Sequence, residues 1–223
     1  MREIALDTET TGFRHQGSDR MVEIGCVEMQ GRIRTGKQYH VYLNPERDMP
    51  AEAQRVHGLS EEFLSDKPLF AEVADEFLEF IADSPLIIHN ASFDLGFINA
   101  ELKRINRPAV PMERAIDTVL IARNKFPGSP ANLDALCRRF EIDLSERTLH
   151  GALLDAELLS DVYLELMGGR QSALSLDAEK TNQSDTKKAV EFAKRSFPLS
   201  ADEISAHDVF VESLKDPIWK KQG

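Results

Sequence analysis

A chain of 223 residues with a formal charge of −11 has the length for one well-packed domain plus an appendage, in the composition of an ordinary soluble protein. The acidic balance argues against broad adhesion to nucleic acid, which runs through Lys and Arg neutralising phosphates, but it is compatible with an enzyme whose acids gather around bound cations. No membrane span appears, and Met1-Arg-Glu-Ile-Ala-Leu has neither a long apolar segment nor a cleavage site, so the expectation is a cytoplasmic protein; Cys26 and Cys137, outside any Cys-x-x-Cys pair, are expected as buried thiols.

In chain order, Ile4-Ala-Leu-Asp7-Thr-Glu9-Thr-Thr-Gly12 opens with an apolar run and carries two acids spaced by two. A strand here places both on one face, at its end. Two neighbouring carboxylates tolerate joint ionisation best with a cation between them, and hard divalent ions prefer such oxygen ligands. A lone Asp-x-Glu is more often the solvated half of an edge strand, so the metal reading needs acids from distant parts of the chain.

Met21 to Met29 and Gln38 to Leu43 read as a second and third strand, with Gly31 and Gly36 marking the link, which suggests an antiparallel start. Pro50 to Leu64 reads as short helices, and Leu69, Val73, Phe77 and Phe80 recur at helical spacing. Pro85 to Ile88 reads as a buried strand with His89-Asn90-Ala-Ser92 as its exit turn. The helix expected from Ser92 has Phe93, Phe97, Ala100 and Leu102 on its apolar side and Asp94 in its first turn. A short strand is expected at Ala115 to Asp117, a helix at Leu133 to Phe140, and a longer one at Gly151 to Met167 with Leu154, Leu158, Tyr163 and Leu166 as core positions. Residues 170–188 read as a linker, polar from Ser175 to Thr186. Residues 189–223 read as a helical tail whose second helix opens with the capping box Ser200-x-x-Glu203. Its Phe192, Phe197, Ile204, Phe210, Val211, Leu214 and Trp219 are too few for a core and too many for a solvated segment, so the tail should dock on a partner.

Taken alone, Asp94 reads as a helix N-terminal charge and His150 as a capping or packing residue. With Asp7, Glu9 and Asp155 they meet a larger requirement. A two-metal phosphodiesterase needs several carboxylates for its cations and one group that accepts a proton from water near neutral pH, and histidine suits that role.

Leu6-Asp7-Thr-Glu9-Thr-Thr-Gly12, His89-Asn90-Ala-Ser-Phe93-Asp94 and His150-Gly-Ala-Leu-Leu-Asp155-Ala resemble the three motifs of the DEDDh family of 3′–5′ exonucleases, in order, spacing and flanks, over roughly Met1 to Gly169. The resemblance implies an α/β, RNase H-like exonuclease fold over residues 1–169, a mixed sheet with three antiparallel N-terminal strands flanked by helices. It also implies two divalent cations, Mg²⁺ or Mn²⁺, the first gathered by Asp7, Glu9 and Asp155, the second served by Asp7 and, through water, Asp94. His150 would be the general base. Thr10 would bind the terminal nucleotide through its backbone, while His57, His89, Asn90 and Phe93 would line the pocket for a single-stranded or frayed DNA 3′ end. The implied activity is removal of mispaired primer-end nucleotides during DNA replication.

Gln171-Ser-Ala-Leu174-Ser-Leu176 resembles the short peptides that dock on bacterial sliding clamps, and the family resemblance makes the alpha subunit of DNA polymerase III the expected partner of the tail. Two other readings compete: a free-standing exonuclease of the same fold acting on RNA or short oligonucleotides, and a non-catalytic binding module. The full carboxylate set with His150 argues against a binding module, and the clamp-like peptide and aromatic tail argue against a lone RNA-trimming enzyme.

Overall fold

Nine residues, Arg2–Thr10, form β1, the middle strand of the sheet and the one that carries both acids of the first motif. The computed structural model describes residues 1–145, 147, 149–169 and 199–215, and the chain falls into two compact units, Met1–Ser175 and Leu176–Gly223. β2 (Met21–Gln30) and β3 (Ile33–Tyr42) run antiparallel on one side of β1, while β4 (Leu86–Ile88) and β5 (Ala115–Asp117) run parallel on the other, in the order β3-β2-β1-β4-β5.

The helices are α1 (Ala51–His57), α2 (Glu61–Leu64), α3 (Phe70–Ile81), α4 (Ala91–Arg104), α5 (Thr118–Lys125), α6 (Leu133–Arg139) and α7 (Ala152–Leu166). They cover both sheet faces, which is why β2 is buried on both sides instead of alternating. Alternation along β1 sorts the two layers. Ile4 and Leu6 pack with Phe77, Leu95 and Phe97 of α3 and α4, whereas Ala5 packs with Leu136, Leu159 and Val162 of α6 and α7. Cys26 and Cys137 are free and buried, one in each layer.

The third strand starts five residues earlier than the sequence suggests, at Ile33 instead of Gln38. Gly31 and Arg32 both have positive φ and form a two-residue hairpin turn, with Gln30 paired to Ile33. Gly36 lies inside the strand, near an irregularity in register between Val27 and Met29. The early half of β3 is exposed and polar, so it lacks the apolar alternation that would mark a strand. α5 was also unmarked, because its apolar groups, Val119 to Ala122, are consecutive and show no helical spacing. It begins where the Asp117 side chain accepts from the Val119 N–H at 2.9 Å. In α4, Ala91, Leu95, Phe97, Ile98 and Leu102 are buried, while the expected core positions Phe93 and Ala100 are half-buried, as is Leu154 in α7.

In the second unit, α8 (Ala201–Ser213) carries the expected capping box: Ser200 Oγ accepts from the Glu203 N–H at 3.2 Å and Glu203 accepts from the Ser200 N–H at 2.8 Å. It exposes Ile204, Val209 and Phe210. The clamp-like residues Gln171, Leu174 and Leu176, the first tail helix and Trp219 lie outside the described residues.

Candidate active site

β4 ends opposite Leu6 of the parallel strand β1, and the site forms just beyond, at the carboxyl edge where α/β sheets commonly bind ligands. On β1, Asp7 and Glu9 have the parity of Ala5 and belong to the α7 side, while Thr8 belongs to the α4 side. Thr8 Oγ1 donates to Asp94 Oδ1 at 2.7 Å in a buried bond. One strand therefore carries two acids on one face and holds a third from the opposite layer.

Asp155 comes from the first turn of α7, and a glycine lets it approach. A Cβ on Gly25, the residue paired with Asp7, would lie 2.3 Å from the backbone of Ala152 and Leu153. Only a residue without a side chain permits the start of α7 to rest on β2 there. Ligand atoms of Glu9, His150 and Asp155 then lie within 4.8 Å of one another. His150 is anchored from a third direction, its N–H donating to the Val56 carbonyl at 3.1 Å.

The acids strain against one another. Burial, then the charges of Asp94, Asp155 and Glu9, hold the Asp7 carboxyl well above the usual range. Burial, followed by the charges of Asp155 and Glu23, pushes Glu9 up to about 8. Glu23 is Glu9's cross-strand partner, itself bonded to His40 Nε2 at 2.7 Å. Burial likewise raises Asp94, against the lowering effect of Thr8. An all-oxygen donor set of buried, mutually repelling carboxylates fits hard divalent cations such as Mg²⁺ or Mn²⁺.

Two cavities meet this edge. A cleft of about 310 Å³ is lined by Asp7, His89, Asn132, Leu133, Asp134, Arg147, His150 and Asp155. A pocket of about 440 Å³ is lined by residues that include Glu9, Thr10, Val56, His57 and Phe93. His57 Nδ1 accepts from the Leu59 N–H at 3.0 Å, and its Nε2 is buried on the side of Thr10. Burial lowers the pKa of His57 and of His89.

The expected nucleotide-pocket set therefore divides. Thr10, His57 and Phe93 share the pocket, whereas His89 lines the acidic cleft and bonds Thr118 Oγ1 at 2.9 Å. Asn90 lines neither. It borders a separate groove of about 960 Å³ and takes a left-handed turn (φ 74°) ahead of α4. There Asp117 accepts from the Asn90 and Ala91 N–H groups at 3.3 and 3.2 Å, so it organises the starts of α4 and α5 together.

Sequence reasoning missed Thr8, Asp134 and Arg147. Arg147 Nε and Nη2 fork onto the two Asp155 oxygens at 2.5 and 2.7 Å, Nη2 also bonds His150 Nδ1 at 2.9 Å, and Nη1 donates to Asp134. Its place three residues before His150 was the available signal, but nothing about a basic residue in an irregular loop points it inward.

The exonuclease family profile matches residues 4–163. The DNA polymerase III subunit epsilon of Rickettsia felis is 50% identical over 224 residues, covering 96% of this chain and 97% of that protein. The subunit of the same name from Escherichia coli K12 is 43% identical over 235 residues, covering 100% and 95%. Among solved structures, exonuclease X in complex with 5′-overhanging duplex DNA is 26% identical, with a TM-score of 0.57 over 74% of this chain and 90% of that one. The nuclease domain of 3′hExo, a DEDDh family member bound to rAMP, is 14% identical and shares the fold, with a TM-score of 0.64 over 74% and 91%. With three motifs folded to one sheet edge and relatives matched along nearly its whole length, the chain belongs to the exonuclease family, in its DEDDh branch.

Proposed function

We propose that this chain is the proofreading 3′–5′ exonuclease of a replicative DNA polymerase III, removing mispaired nucleotides from the primer 3′ end and releasing 5′-mononucleotides. The observation that carries this is the convergence of Glu9, Asp155 and His150, with Asp7 lining the same cleft, beside the pocket that Thr10, His57 and Phe93 share, in a chain matched end to end by epsilon subunits. Asp7, Glu9 and Asp155 would hold one divalent cation, with Asp7 and Asp94 serving a second. Bound there, the cations supply positive charge to the scissile phosphate and make water a better nucleophile.

The chain's own groups do the rest. His150, half exposed on its loop, takes the proton from the attacking water and returns it to solvent between turnovers. Thr10, His57 and Phe93 orient the terminal nucleotide, with His57 Nε2–H as donor and the Phe93 ring as a stacking face. Asn90 and His89 flank the path outside that pocket. A mispaired end frays at less unpairing cost, so selectivity needs no reading of base edges. The exposed apolar groups of α8 support docking of residues 189–223 on the polymerase alpha subunit, and Gln171, Leu174 and Leu176 would engage the sliding clamp.

A paired digestion assay tests the reading, with matched and 3′-mispaired DNA primers and matching RNA, each in Mg²⁺ and in chelator. The expected result is metal-dependent release of mononucleotides, fastest from mispaired DNA; preference for RNA would favour the free-standing alternative.

A further inference from the structure

Besides the carboxylates and His150, the acidic cleft contains a cation of the chain's own. The Arg147 side chain is 8% exposed and that of Asp155 5%, and both Asp155 oxygens are engaged by the guanidinium. The same group donates to His150 Nδ1 and to Asp134. Three of its contacts thus fall on the two residues to which the proposed function assigns metal binding and proton transfer. Asp134 differs. It lies outside that set, at the first turn of α6, and is about two-fifths exposed.

We propose that Arg147 is an internal counter-cation that occupies Asp155 and His150 while no divalent ion is bound, and that it withdraws onto Asp134 when one binds. This rests on the reading of Asp155 as a metal ligand.

The physical need is plain from the site. Buried carboxylates repel, and a guanidinium that is always charged offsets that repulsion with a planar fork matched to a carboxylate. A divalent ion on the same oxygens would sit beside the guanidinium and repel it, so the two compete for Asp155. Release also frees His150 Nδ1, which can neither accept nor pass on a proton there while a guanidinium N–H points at it. Asp134 offers a second anionic partner already within reach, so Arg147 need not go unpaired. Cation arrival and release of the base are thereby one event.

Two readouts test this on the full chain. By NMR, a hydrogen-bonded arginine Nε–H signal that disappears in Arg147→Lys should move or exchange faster with solvent as Mg²⁺ is added; an unmoved signal while Mg²⁺ shifts the Asp7–Asp155 resonances overturns the proposal. No Mg²⁺ response anywhere in the cluster would remove the metal reading with it. By calorimetry with Mn²⁺, Arg147→Met should bind at least about fivefold more tightly while its metal-free form melts lower, and Asp134→Asn, which removes the resting place, should bind more weakly. Weaker Mn²⁺ binding by a folded Arg147→Met would show a role only in shaping the site.

Discussion

At the scale of single residues, His150 is assigned to proton transfer and the four acids to cations, and each assignment has its own signature. His150→Ala should keep the circular-dichroism spectrum and Mn²⁺-induced stabilisation of the parent while losing about 10²- to 10⁴-fold in turnover, the usual contribution of a positioned acid–base group. Near-normal turnover would remove it from the chemistry. The raised carboxylates give a second test. Glu9 titrates near 4.5 unfolded and at about 8 folded, so between those values the folded state binds more protons than the unfolded one. Stability is then fully present below about 4.5 and lost as the pH climbs through 8, the reverse of an ordinary ion-paired acid. Melting in chelator should fall across that window, and divalent cations should flatten the slope by favouring the ionised acids. A chelated protein whose melting temperature rises from pH 5 to pH 8 would contradict this electrostatic picture. The acids and His150 were legible in the sequence because each motif fixes its residues at an element's end. Arg147 was not, because its direction depends on how an irregular loop folds against Asp155.

At the scale of elements, the site depends on how closely α7 approaches the sheet. Gly25→Ala places a methyl group against the backbone of Ala152 and Leu153, with no flexible side chain to yield. The helix must lift, at about 1–3 kcal/mol, and Asp155 lifts with it. Exonuclease activity should therefore fall far more than global stability requires, with weakened Mn²⁺ affinity by calorimetry; full activity would mean that the acids tolerate a displaced helix. Strong periodicity made α3 readable, the exit turn of a buried strand marked the start of α4, Gly151 and Gly168 bracketed α7, and the Pro-bounded apolar run made β4 readable. The early half of β3 escaped because an exposed polar edge leaves no apolar signal, and α5 escaped because its start is set by Asp117, which also caps the approach to α4. Both are cases of tertiary context supplying what local pattern lacks. The division of the nucleotide-pocket residues has the same origin. Asn90's left-handed turn directs it away from the pocket that Thr10, His57 and Phe93 share, and no spacing rule conveys that.

At the scale of the whole molecule, the proposed function places catalysis in residues 1–169 and partnership in residues 170–223. A chain truncated after Gly169 should digest single-stranded DNA at the parental rate yet fail to co-purify with the polymerase alpha subunit; co-purification unchanged by the truncation would refute the docking role of the tail. Gln171→Ala should weaken clamp binding alone. The net charge of −11 is compatible with the proposed docking, since an enzyme held beside its substrate by a partner would have no need of a basic surface to find it. Its fold brings acids from β1, α4 and α7 to one edge, and everything proposed for the chain's chemistry depends on cations being held there. A crystal of the full chain soaked in Mn²⁺ with a nucleoside 5′-monophosphate, measured at the manganese absorption edge, tests that most directly. Two anomalous peaks sharing Asp7, one completed by Glu9 and Asp155 and the other on the Asp94 side, are predicted; no peak among these four acids, or manganese bound only elsewhere, would contradict it.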